Sequence, residues 1–327
     1  MAIKPSTLQW ALHNNDIQWV QKVLSTYEFH FPTLGYISVI IGSLDCSDVC
    51  RIFKMMKILI ILTIAAMTSA DKRCHGIDVA NRYYNLNIIK DGINNIHDLV
   101  LNRNDNTVYF TFDDISKTPR RTRRLLGHLN TDTGVATVID GIRNATAIAI
   151  DHINGKIYVG GSDGLYKINE MKGVEKLPIH DDIKSMHFKD NLYFVNHRRE
   201  AYKFEDGFSA LVPELRGVEV DSLVFDDDNN IFFTQNTKLF RIKLNTRAIN
   251  THESYLANAI STDSYSKVYI CTSNGLFVYN KYKYVFDKVA NLNNLKAITF
   301  NRKNEPVYAA ADYIVKLSLS EIGCFED

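Results

Sequence analysis

The chain has 327 residues, 46% hydrophobic and 23% charged, and its 38 Lys and Arg against 37 Asp and Glu give a formal net charge of +1. That is ordinary globular composition, with apolar residues enough for a sizeable core. A charge so near zero supplies no global field toward nucleic acid or an anionic membrane, and neither is expected as a partner.

Residues 1–55 differ from the rest: both tryptophans, Trp10 and Trp19, lie there. The stretch reads as a gene-model extension ahead of a start at Met55 or Met56, or as a disordered or helical leader. Residues 56–70, MKILIILTIAAMTSA, pair a Lys with the apolar run Ile58–Met67 and close on Thr68, Ser69 and Ala70. This three-part pattern is that of a secretory signal and is short for a transmembrane helix. The rival reading makes Ile58–Met67 a membrane anchor. Cleavage would leave 71–327 as one domain of zero formal charge, with 33 basic and 33 acidic residues.

That domain carries Cys74, Cys271 and Cys324. An oxidising compartment favours a disulfide, and the odd count leaves one thiol over. Cys74 and Cys324 lie almost at the two ends and are expected to pair. Cys271, inside the run VYICT, is expected to be a buried thiol. The spacings match no zinc site.

Six segments then share one pattern: DLVLNRNDNTVYFT from Asp98, AIAIDHINGKIYVGG from Ala147, SMHFKDNLYFVN from Ser185, SLVFDDDNNIFFTQ from Ser222, AISTDSYSKVYICT from Ala259 and AITFNRKNEPVYAA from Ala297. Each is an apolar strand, a polar turn and a second strand carrying an aromatic, the hairpin signal. Equivalent positions Leu101, Ile150, Phe188, Phe225, Thr262 and Phe300 are spaced by 49, 38, 37, 37 and 38 residues, a propeller period. The first interval holds an inserted segment, Ile115–Arg124. Third strands follow from Gly164, Ala201, Lys238, Gly275 and Tyr313. The fold expected is all-β, a six-bladed β-propeller whose last blade is completed by Tyr83–Lys90.

In such a fold the loops before first strands and after second strands face one mouth of the central channel. The candidate ligand-binding residues there are Asp98, Asp221, Asn258, Lys184, Lys296, Phe112, His197 and Arg198. Asp151, Asp226 and Asp263 read as turn residues at the opposite face. A cation ring of carboxylates and amides, as in lactonase propellers, would need acidic or neutral groups where Lys184 and Lys296 stand. No metal, cofactor or catalytic residue is therefore expected. No phosphate-binding Gly-rich loop, G-x-S-x-G elbow or H-E-x-x-H helix is present. Asn144-Ala145-Thr146 is a glycosylation sequon, and the basic run Arg121–Arg124 reads as a solvated loop.

The segment AIAIDHINGKIYVGGSDGLYKIN resembles the YWTD class of propellers, with VG where WT is usual. The signal segment, KRCHGI around Cys74, INNIHDLVLNRNDNTVYFTFDD, IYVGGSDGLYKI and the late Cys together resemble the lepidopteran ommochrome-binding protein family. The resemblance spans 56–327 and leaves 1–55 outside. It implies a secreted haemolymph protein, not an enzyme, that carries or sequesters a small aromatic pigment, and a monomer is expected. Ommochromes are flat, tryptophan-derived aromatics with carboxylates, so a site needs a stacking surface and cations. The alternatives are a metal-dependent lactonase or esterase of the gluconolactonase or regucalcin type, and a propeller that binds a protein partner through an exposed apolar face. N-terminal sequencing of the secreted protein is expected to begin at Asp71; a sequence that starts ahead of residue 55 would refute the signal assignment.

Overall fold

The computed structural model describes residues 76–114 and 123–320, all within the compact unit Arg73–Asp327. The signal segment, Cys74, Cys324 and most of the 115–124 insertion lie outside the described residues. The chain opens with β1 (Ile77–Val79) and β2 (Arg82–Lys90). Five four-stranded meanders follow. Blade one is β3 (Asp98–Asn102), β4 (Thr107–Asp114), β5 (Arg123–Asn130) and β6 (Ala136–Ile139). Blade two is β7 (Ala147–Asp151), β8 (Lys156–Gly161), β9 (Gly164–Ile168) and β10 (Val174–Lys176). Blade three is β11 (Ile183–Lys189), β12 (Asn191–Asn196), β13 (Ala201–Glu205) and β14 (Phe208–Leu211). Blade four is β15 (Ser222–Phe225), β16 (Ile231–Gln235), β17 (Lys238–Ile242) and β18 (Ile249–Leu256). Blade five is β19 (Ala259–Thr262), β20 (Val268–Thr272), β21 (Gly275–Asn280) and β22 (Val285–Ala290).

Blade six takes β23 (Ala297–Phe300), β24 (Pro306–Ala310) and β25 (Tyr313–Leu319) from the C-terminal end, and β2 and then β1 from the N-terminal end. The molecule is thus an all-β, six-bladed propeller. The closing strand runs from Tyr84 opposite Leu319 to Ile88 opposite Val315. β1, an extra outer strand the sequence pattern did not reveal, covers part of β2's free edge through Ile77 opposite Tyr84.

The turn chemistry fixes the repeat. Between the first and second strands of the six blades, Asn106, Gly155, Asp190, Asn229, Ser266 and Asn304 all adopt left-handed φ values of 54–67°. Asn, Asp and Gly tolerate that region best, which is why these turns were visible as sequence. An Asp or Asn at the end of the first strand or just past it clamps the turn in four blades: Asp226 accepts the Asp228 and Asn230 amides at 3.0 and 2.8 Å, and Asp151, Asp263 and Asn301 each accept two turn amides likewise. Gly164 and Gly275 open third strands at φ 147° and 135°, and a Cβ there would lie 2.3 and 2.5 Å from the Ile179 and Ala290 carbonyl oxygens. No other residue fits that approach.

Packing lies between blades. Among the described residues, six apolar clusters each bridge one pair of neighbouring blades. Leu223 and Phe225 face blade three, while Val224 between them faces blade five. Both faces of each inner sheet are therefore covered, and β7 and β23 are buried at every position. Residues such as Phe194, Phe232 and Tyr109, each fully buried, contribute about 1.5–3 kcal/mol apiece by removal from water. Cys271 is free and fully buried, and burial pushes its thiol up to about 12.

One boundary differs from the sequence reading. Arg123 and Arg124 are not loop but the start of β5, opposite Asp114 and Asp113; charge pairing across the strands draws them into the sheet.

Ile77 and Leu319 flank the same residue, Tyr84, so they sit about 10 Å apart across two strand spacings. In the sequence Cys74 comes shortly before Ile77 and Cys324 shortly after Leu319. Non-reducing peptide mapping is expected to find them joined and Cys271 reduced, and Cys74→Ser to lower stability by about 2–5 kcal/mol. A bridge containing Cys271 would overturn the pairing.

Candidate functional site

The inner strands β3, β7, β11, β15, β19 and β23 all run the same way, so their starts gather at one end of the central channel. Asp98, Lys184, Asp221, Asn258 and Lys296, with His97 and Thr146, line the mouth end of a single channel cavity of about 290 Å³. Five of the eight residues singled out in the sequence are thus brought together.

The other three are not. Phe112 lies within β4, because that strand runs on to Asp114. Its ring packs 5.5 Å from that of Phe110, in a shallow pocket with Lys90 and Ile93. His197 and Arg198 are exposed on the β12–β13 turn, on the mouth face but off the channel wall. The His197 amide donates to the Asp182 carbonyl at 2.8 Å. The aromatic groups that do line the channel are Phe188 and the imidazoles of His97, His152 and His187. Phe188 stacks on Tyr158 with ring centroids 6.2 Å apart. In the sequence Phe188 marks the repeat register, and nothing in that register separates a channel-lining aromatic from one packed between blades.

The mouth carboxylates are both engaged. Asp98 accepts the Leu99 amide at 2.8 Å and, across the blade boundary, the Ile148 amide at 2.7 Å. Burial pushes its pKa up to about 6 against the pull of those two donors. Asp221 faces the Arg199 guanidinium at 2.9 Å and accepts the Asn236 amide at 2.5 Å. His97 contacts Asp113 at 2.9 Å, and Asn95 and Arg124 approach the same carboxylate. Those partners hold the Asp113 carboxyl below its usual range although burial opposes them.

The lysines differ from each other. Lys184 reaches Asp182 at 2.7 Å, whereas Lys296 is exposed and pairs with no acid among the described residues. A divalent cation does not fit this set, because the two carboxylates already have donors and two ammonium groups stand beside them. The one cluster of three acidic groups among the described residues, Asp226, Asp227 and Asp228, is at the opposite face. Asn144, half-buried with φ 49°, accepts the Arg124 amide at 3.4 Å. The Thr146 hydroxyl of its sequon donates to the Ile183 carbonyl and ties blade two to blade three.

The arrangement defines a class: a six-bladed propeller whose channel mouth carries acidic, cationic and amide groups. No known family profile matches the chain. It is 26% identical over 280 residues to the ommochrome-binding protein of Manduca sexta, covering 79% of this chain and 97% of that protein. Among solved structures it is similar to a gluconolactonase from Xanthomonas campestris, at 11% identity and TM-score 0.58 over 76% of this chain and 96% of that one. It is also similar to the WD40 β-propeller domain of Doa1, at 11% identity and TM-score 0.53 over 76% and 98%. At these identities the two structures speak to the fold alone. Among the described residues no helix is long and apolar enough to cross a membrane.

Asp98 joins the site to the seam between blades one and two. An amide in its place has a single acceptor oxygen and turns an NH₂ toward one of the two backbone N–H groups. Asp98→Asn is expected to lower stability by about 1–3 kcal/mol in urea unfolding; an unchanged midpoint would show that one of the two bonds is dispensable.

Proposed function

We propose that the protein is a secreted, monomeric, non-enzymatic carrier of a small aromatic pigment of the ommochrome type, bound at the channel mouth without a metal. The observation that carries the reading is the pairing of a full-length relative named for ommochrome binding with a mouth whose acids are occupied and whose Lys296 is not. In this reading the ammonium of Lys296 holds a pigment carboxylate. Lys184 supplies a second cation in competition with Asp182, and Asn258 offers an amide at the rim. The flat ring system enters between apolar side chains of the inner strands, with Val100, Ile148, Met186 and Ile260 on the wall. Phe112, His197 and Arg198, set off that wall, take no part. Secretion into haemolymph and a glycan on Asn144 belong to the same reading.

Purified protein is expected to bind ommochrome equally with and without a chelator, followed by the pigment's own absorbance, and to hydrolyse no lactone. Lys296→Ala is expected to weaken binding by about 1.5–3 kcal/mol, ten-fold or more, and Lys184→Ala by less because Asp182 already engages it. Calcium-dependent lactone turnover would overturn the carrier reading. Pigment affinity unchanged in both variants would move the site away from the mouth.

A further inference from the structure

The other end of the channel is built differently. Arg103 follows β3, His152 follows β7, and His187 and Lys189 lie toward the end of β11; all four line the same cavity as the mouth residues. The Arg103 Nε donates to the Phe300 carbonyl at 3.2 Å, which leaves the rest of its guanidinium without an acid partner among the described residues. Lys189 reaches the Asp226 carbonyl through its ammonium. His187 makes no hydrogen bond to a described residue and lies with its ring 6.0 Å from that of Phe225, inclined at 19°. The Nδ1 of His152 is buried and without a partner.

Buried polar groups in folded proteins are normally paired. The unpartnered Nδ1 of His152, with His187 and two half-buried cations beside it, therefore marks a place made for something else. Burial pushes His187 down to about 3, and Lys189, Arg103 and His152 push it the same way. His152 is pushed down to about 4 by burial and by Arg103, with Asp151 opposing. Arg103 is itself lowered by burial, with Asp263 opposing.

The acids at this end do not fill the gap. Asp151 accepts the Ile153 and Asn154 amides, Asp226 those of Asp228 and Asn230, and Asp263 those of Tyr265 and Lys267. Each also takes an Asn side-chain amide, from Asn154, Asn230 and Asn304 respectively. They are committed to the turns, and the field at His187 is cationic. A metal ion is excluded by Arg103 and Lys189, which would repel it at short range.

We propose that Arg103, His152, His187 and Lys189 form an anion site at the far end of the central channel, which takes a carboxylate or a small inorganic oxoanion. The guanidinium offers a planar fork of donors, the ammonium a point charge, and the two imidazoles one N–H each when neutral and two when protonated. An anion here relieves the mutual repulsion of the two cations. It also favours the charged imidazole, so binding draws a proton onto His187 or His152. The site is independent of the pigment reading, which concerns the mouth.

Histidine side-chain NMR on the full secreted protein tests it, with sodium sulfate and sodium benzoate each titrated at constant ionic strength against chloride. The His152 and His187 ring signals are expected to shift saturably and their protonation midpoints to rise by about one pH unit or more. Arg103→Gln is expected to weaken the response about ten-fold or more, whereas Lys184→Ala with Lys296→Ala leaves it unchanged. Saturation by benzoate but not sulfate assigns the site to the acid group of an organic ligand, and saturation by sulfate assigns it to a free oxoanion. The absence of a saturable shift in the wild type with either probe overturns the proposal without any variant having to fold, and leaves pigment binding at the mouth as a separate result. A full-strength response in folded Arg103→Gln also overturns it.

Discussion

The pairing of β2 with β25 closes the ring, and every other contact in the molecule is conditional on it. Each blade has two large faces, and each face is buried only by the next blade around. Opening the β2–β25 seam would uncover an edge strand and release the last blade from its outer strands. The clusters that join blade six to blades five and one would lose support together. Stability is therefore shared around the circuit: the apolar area that holds any one blade belongs half to its neighbours. Polar clasps follow the same plan, with Asp98 holding Ile148, Asn304 holding Asp263 and Thr299 accepting the Leu101 amide across successive seams.

The blade plan was legible because turns carry local chemistry. A left-handed residue between two strands costs least as Gly, Asn or Asp, and five of the six repeats carry one at that fixed place, Ser266 being the exception. The hairpin starts at Asp98, Ala147, Ser222, Ala259 and Ala297 agree with the observed strands to the residue. Outer strands were less visible. β10, VEK, and β14, FSAL, are short and largely exposed, so no burial pattern marks them, and β1 is three residues long.

The site was half legible for a related reason. Loop position predicts which end of the channel a residue occupies, and it placed Asp98, Lys184, Asp221, Asn258 and Lys296 together. It does not predict radial distance. His197 and Arg198 sit at the right height but one strand too far out, and Phe112 was read as loop where the strand continues. The basic groups at the far end were hidden because His187 and Lys189 alternate with Phe188 along β11, a pattern that also describes an ordinary half-buried strand.

Tyr84, flanked by Ile77 on one side and Leu319 on the other, has a consequence for how the chain can be cut. Where the two ends of a domain meet, the order in which its parts are written matters little to the finished object. A gene that joined those ends with a short linker and opened the ring instead at the surface turn around Gly217, between blades three and four, would still encode the same six seams in the same circular order. In that molecule the blade-six sheet would be continuous in sequence, and the blades now joined by an unbroken peptide would become the place where the circle is held by packing alone.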